Sequence, residues 1–148
     1  MWIYTNMREN LVFFLIVFIS IHRIDSILLF RHFNIDIQNK LAANQTLMVY
    51  CRDKNTLSEV GFLRFKTVLE VKFIIYPKTL IWCNLWKGPD YVHHIRFTAF
   101  IGTEDFIHDL CGGMKPNVCF WQVQDDGVWL RHNPSGTLTL MHEWGDKV

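Results

Sequence analysis

Hydrophobic and polar residues alternate along most of this chain, and the period is two. Phe33, Ile35 and Ile37 are interleaved with Asn34, Asp36 and Gln38, the pattern of a strand with one buried and one wet face. Leu47, Val49 and Cys51 share one face of a second candidate strand, and Leu69, Val71, Phe73 and Ile75 alternate with Glu70 and Lys72 in another. Residues 79–86 are nearly all apolar, as expected for a strand covered on both sides. Ile95, Phe97, Ala99 and Ile101 form one further face, Cys119, Trp121 and Val123 another, and Leu138, Leu140, His142 and Trp144 the last.

Turn residues separate these runs. Pro77-Lys78, Lys87-Gly88-Pro89-Asp90 and Asn133-Pro134-Ser135-Gly136 each fall between two strands, and Asp126-Gly127 is a two-residue hairpin signal. The prolines lie outside the candidate central strands, where a missing N–H would break the ladder. No segment sustains a 3.6-residue period, so little helix is expected beyond one turn within 101–110. The predicted fold class is all-β: a small antiparallel β-sandwich.

The N-terminus breaks the pattern. Residues 11–21 read LVFFLIVFISI, ten apolar residues and one Ser. That length suits a secretory signal, with roughly 7–15 apolar residues, and is short of the about 20 needed to span a bilayer. His22, Arg23 and Asp25 follow at once. Cleavage after Ser26 divides the chain into a signal peptide, 1–26, and one secreted domain, 27–148, with no stable membrane insertion afterwards. Net charge is +1, so no strong field points to nucleic acid or anionic lipid.

Export changes how the four cysteines are read. Cys51, Cys83, Cys111 and Cys119 all lie downstream of the apolar block, and in an oxidising compartment an even count implies two disulfides. Three pairings are possible. The seven residues between Cys111 and Cys119 include two glycines and permit a local bridge, which would leave Cys51 with Cys83; a sandwich could instead join Cys51 to Cys119. No CxxC or HxxxH spacing supports a metal site, and no cofactor is expected. Asn44-Gln45-Thr46 is a glycosylation sequon in a turn.

Catalytic patterns are absent from the sequence. His93 and His94 are adjacent, so in a strand they point to opposite faces. Asp125 and Asp126 form a carboxylate pair, but the hairpin turn claims Asp126, and no G-x-S-x-G elbow or phosphate-binding Gly-rich loop occurs. Trp82, Trp86 and Trp129 are read first as core packing and second as a sugar-stacking platform.

The ordered motifs resemble the plant self-incompatibility protein (S-protein homologue) family. Residues 32–41, HFNIDIQNKL, look like its opening V-x-I-x-N-x-L strand. Val49-Tyr50-Cys51-Arg52 is similar to its H-C-K/R strand, Thr79-Leu80-Ile81-Trp82-Cys83 to its T-L-F/W-C strand, and Cys119-Phe120-Trp121 followed by Asp126-Gly127 to its C-x-W and D-G hairpin. The resemblance implies a secreted, disulfide-held sandwich acting as a non-catalytic ligand; founding members of the family are pistil-secreted and recognised by a pollen surface receptor. The expected partner is therefore a cell-surface receptor, met by a monomer through loops 53–60, 87–91, 102–109 and 112–118. The alternative is a carbohydrate- or cell-wall-binding module.

Overall fold

The structure is a computed structural model that describes residues 11–16, 29–42, 44–54 and 60–145. The expected signal segment and its cleavage point lie outside these residues, apart from 11–16, a short helix with exposed apolar side chains. Among the described residues no helix is long and apolar enough to cross a membrane.

Nine strands are described: β1 (His32–Asn39), β2 (Leu47–Arg52), β3 (Gly61–Leu63), β4 (Val68–Ile74), β5 (Leu80–Lys87), β6 (His93–Ile101), β7 (Val118–Val123), β8 (Gly127–Arg131) and β9 (Leu138–Glu143). Sheet A has the order β4-β1-β7-β8-β9 and sheet B the order β3-β2-β5-β6. The fold is an all-β sandwich with little helix, as the alternation predicts. One pair departs from the antiparallel rule: β1 and β7 run parallel. Parallel neighbours need a long crossover, and here the chain builds β2 to β6 between them. A single wide helical turn, Phe106–Cys111, precedes β7.

The core is the sum of the inward faces. Phe33, Ile35 and Ile37 of β1 are fully buried against Leu47 and Val49 of β2 and Ile81 and Leu85 of β5. Two disulfides join this frame, Cys51–Cys83 across the adjacent strands β2 and β5, and Cys111–Cys119 between the helical turn and β7. Trp121 of β7 stands at the centre, edge-on to Phe97 at 4.8 Å between ring centroids. Its indole N–H donates to the Ala99 carbonyl of the opposite sheet at 3.1 Å.

That bond depends on a β-bulge. Pairing of β5 with β6 passes from Trp82 opposite Thr98 to Ile81 opposite Phe100, which leaves Ala99 as the extra residue. A bulge re-aims the strand. Phe100 therefore turns inward against Phe33 and Phe73, at 5.0 and 4.7 Å, and Ile101, expected inside, is exposed. A second bulge in β9 has the same kind of effect. Leu138 and Leu140 pair with the outward residues Arg131 and Trp129, whereas His142 pairs with buried Val128 and packs on Phe97 at 5.6 Å. The predicted single face of β9 is thus split at Met141.

Two further expectations change. β5 is covered on one face only: Ile81, Cys83 and Leu85 are buried, while Trp82, Asn84 and Trp86 are half-buried on the outer face. In the β7–β8 hairpin the two turn residues are Asp125 and Asp126, because Gln124 and Gly127 exchange both backbone hydrogen bonds, at 2.8 and 3.3 Å. Gly127 is the first residue of β8.

The parity of β1 continues past Ile37 and brings Asn39 inward, where it is fully buried. Its side-chain amide donates to the Gln45 and Leu63 carbonyls, each at 2.8 Å, and its side-chain oxygen accepts from the Leu41 N–H at 2.9 Å. Its backbone N–H and carbonyl bond Thr67 and Lys66. The outer face of sheet A holds a less settled polar group. Asp36 lies between Glu70 and Phe120 in register, and its Oδ1 has no hydrogen-bond partner among the described residues. Burial, and then the neighbouring Glu70 carboxylate, hold its pKa above the ordinary 3.8, against the opposing pull of Arg131 and Lys72.

Two predictions follow from these residues. Asn39→Ala orphans two buried backbone partners and one half-buried one, and should cost on the order of 3 kcal/mol in urea unfolding; a loss below about 1 kcal/mol would remove Asn39 as a structural tie. A raised carboxyl pKa means that the folded state holds the proton more tightly, so stability from this group is greatest at low pH and falls as the pH rises through the raised value. Asp36→Asn should therefore melt higher than the parent at neutral pH, with the gap closing as the pH drops to about 3.8. An unchanged or lower melting point at pH 7 would mean that Arg131 and Lys72 outweigh burial.

Candidate functional site

The strand directions sort the four expected contact loops onto two ends of the sandwich. β1 and β7 begin at one end, so 102–109 and 112–118 gather there, and β2 delivers 53–54 to the same end; residues 55–59 of that loop lie outside the described residues. Loop 87–91 sits at the opposite end, beside Thr46, whose carbonyl accepts from the Gly88 N–H at 2.9 Å. The four loops therefore do not make one surface.

The shared end is tied together from below. The helical turn buries Phe106 and Ile107, and Cys111 anchors it to β7 through the bridge to Cys119. Gly112 ends the turn with φ at +88°, and a side chain there would collide with Pro134. Asn133 donates from its backbone to the Cys111 carbonyl at 3.1 Å and from its side chain to Val118 at 2.6 Å. Asn117 bonds the His32 carbonyl at 3.3 Å, and Gly102 bonds Thr79 at 2.8 Å. On this fixed base stand the exposed side chains of Glu104, Asp105, His108 and Asp109, and of Lys115 and Asn117. His108 and Glu104 pair at 3.4 Å.

The other residues singled out in the sequence are scattered. His93 and His94 are both exposed on β6. Asp125 pairs with Lys87 at 3.3 Å and accepts from the Ala42 N–H at 3.0 Å, and Asp126 accepts from the Trp129 indole at 2.9 Å. Both carboxylates hold the hairpin. Trp129 belongs to the outer face of sheet A, Trp82 and Trp86 to the outer face of sheet B, and Trp121 alone of the Trp-rich strands to the deep core. Core packing is thus the wrong account of Trp82, Trp86 and Trp129 alike, and because they lie on two different sheets the three-Trp platform does not exist. Asn44 is an exposed turn residue with φ at 55°. Among the described residues no group of three or more His, Cys, Asp or Glu is placed to hold a metal.

A groove of about 770 Å³ opens beside β4, between Leu69, Val71 and Phe73 on one wall and Arg52–Lys54 and Thr79–Ile81 on the other. Its apolar wall is the flank of the core at an edge strand. Asp36, whose carboxyl pKa is raised, is not part of it.

Sequence reasoning missed the outer face of sheet B. Alternation across three of its strands sets Met48, Trp86 and His94 in one row, Tyr50, Asn84 and Arg96 in the next, and Arg52, Trp82 and Thr98 in the third. Arg52 and Arg96 flank the Trp82 ring from β2 and β6, with guanidinium carbons 6.0 and 5.4 Å from its centroid. His94 stacks on Trp86 at 4.7 Å and bonds Asn84 at 3.1 Å. The overlooked signal was charge: the strands of this sheet contain no Asp or Glu.

Comparison with known proteins agrees with this architecture. Residues 34–144 match the family described as Plant self-incompatibility protein S1. S-protein homolog 8 of Arabidopsis thaliana is 33% identical over 95 residues, 64% of this chain and 67% of the relative. S-protein homolog 21 of the same plant is 34% identical over 85 residues, but the match spans 56% of this chain and only 59% of that protein. The fold also superposes on a solved structure of SPH (Self-Incompatibility Protein Homologue) proteins, which are described as a widespread family of small, highly stable, secreted proteins from plants. The TM-score is 0.60 at 20% identity, over 78% of this chain and 96% of that one. The family match takes in all four cysteines and all nine strands, save the first two residues of β1, and the chain belongs to the plant self-incompatibility protein S1 family.

Proposed function

We propose that this chain is an exported, non-catalytic recognition ligand that engages a receptor protein on a cell surface through loops 102–109 and 112–118. The observation that carries this reading is the convergence of those two loops on one disulfide-anchored end, with charged side chains outward and apolar ones inward. A pre-ordered loop loses little conformational entropy on binding, so its contacts count toward affinity. Residues 1–26 act as the signal peptide, consistent with secretion among the solved relatives, and Asn44 carries an N-linked glycan at the end away from these loops. Loop 87–91, at that same far end, takes no part in contact.

Three outcomes test the reading. The exported protein should begin after Ser26; an intact Met1 on a membrane-bound product would overturn the export assignment. Labelled protein should bind intact plant cells saturably, and replacing 102–109 and 112–118 together with the corresponding loops of S-protein homolog 8 should weaken that binding at least about tenfold. Exchanging 87–91 should leave it unchanged. Equal binding after the double exchange would sink the proposed surface.

A further inference from the structure

From the outer face of sheet B we infer a second binding surface, which takes an acidic polysaccharide whose sugar units bear carboxylates. This inference stands on the sheet itself and not on the receptor loops.

The chain is nearly neutral overall, at +1, but its charges are not evenly spread. Sheet A carries Asp36, Glu70 and Glu143 as well as Lys72 and Arg131, while the strands of sheet B carry Arg52, Lys87 and Arg96 and no carboxylate. Lys87 is neutralised by Asp125 at 3.3 Å. Arg52 and Arg96 make no ion pair among the described residues; their contact is with the Trp82 ring. A guanidinium set against an indole keeps its planar fork of N–H donors free at the edge, and carboxylates accept that fork in bidentate geometry.

Apolar surface lies between the charges. Trp86 and Trp82 lie four residues apart on β5, or about 13 Å along the strand. Tyr50 and Met48 flank them, half-buried, on β2. A sheet face that sets aromatic rings beside cations matches a chain whose rings present C–H faces and whose edges present carboxylates. An acidic peptide offers the same charge but not the apolar ring faces, and a neutral glucan offers the faces but not the charge.

The test uses the mature, oxidised protein and oligogalacturonate of about ten units as the probe, with binding followed by calorimetry and by Trp fluorescence. Oligogalacturonate should bind, weaken as salt screens the arginines, and quench Trp emission. Arg52→Gln with Arg96→Gln should weaken binding about tenfold or more with an unchanged melting point, since both residues are exposed. Lys72→Gln, on the other sheet, should have no effect. Equal affinity for polyglutamate would reduce the surface to a general anion site and overturn the sugar assignment; equal affinity for a neutral cello-oligosaccharide would overturn the role of the arginines. Failure of all three probes to bind removes the site and leaves the loop reading untouched.

Discussion

The side chain of Asn39 is fully buried, and its amide nitrogen and its oxygen are both hydrogen-bonded within the protein. One end belongs to sheet A, through β1. Its amide reaches Leu63 at the end of β3 in sheet B and Gln45 in the loop that leads into β2. Two sheets packed by apolar faces alone are free to slide, because burial is non-directional. A buried amide with three fixed partners is directional, and any shift of the sheets would leave at least one partner unpaired. The register of the sandwich at this end is thus held by Asn39, together with the ion pair of Lys87 with Asp125.

At the middle of the core the directional bond is that of Trp121 with Ala99. It has the same logic, one polar group from each sheet, and it needs the bulge in β6 to bring the carbonyl inward. The bulge then decides which of the C-terminal residues of β6 are inside, and so which ring packs on Phe33, Phe73 and Phe106. At the far end the covalent link between Cys111 and Cys119 takes over, holding the helical turn on β7. The loop end is ordered because it hangs from this bridge and from Asn133.

The outer faces follow from what the inner faces demand. Once Ile81, Cys83 and Leu85 are committed to the core, Trp82, Asn84 and Trp86 have no choice but the opposite side. Arg52 and Arg96 then flank the Trp82 ring, and His94 lies against Trp86. The same rule brings Asp36 next to Glu70 and Phe120 on sheet A, where it is partly desolvated. One sheet presents mixed charge and the other only positive charge, although the chain is close to neutral.

By itself the sequence determined the elements that alternation defines: the strands around Ile35, Val49, Val71 and Trp121, the turns between them, and membership of an all-β class. Family motifs were legible in order along the chain for the same reason, since each is a strand with its cysteine or its turn. The inward parity of Asn39 was also written there, one step beyond Ile37. What the sequence did not determine lies wherever a residue breaks the two-residue period. A bulge costs one residue of register and flips every face beyond it, which is why Ile101 and Leu140 were assigned to the wrong side. The apolar run around Trp82 carries no period at all, and only its neighbours across β2 and β6 decide that its aromatic face looks outward. The separation of loop 87–91 from the others, and the meeting of Arg52 with Arg96 over one indole, are matters of strand direction and cross-strand register. Those are set by contacts between residues far apart in the chain, and so only the tertiary structure decides them.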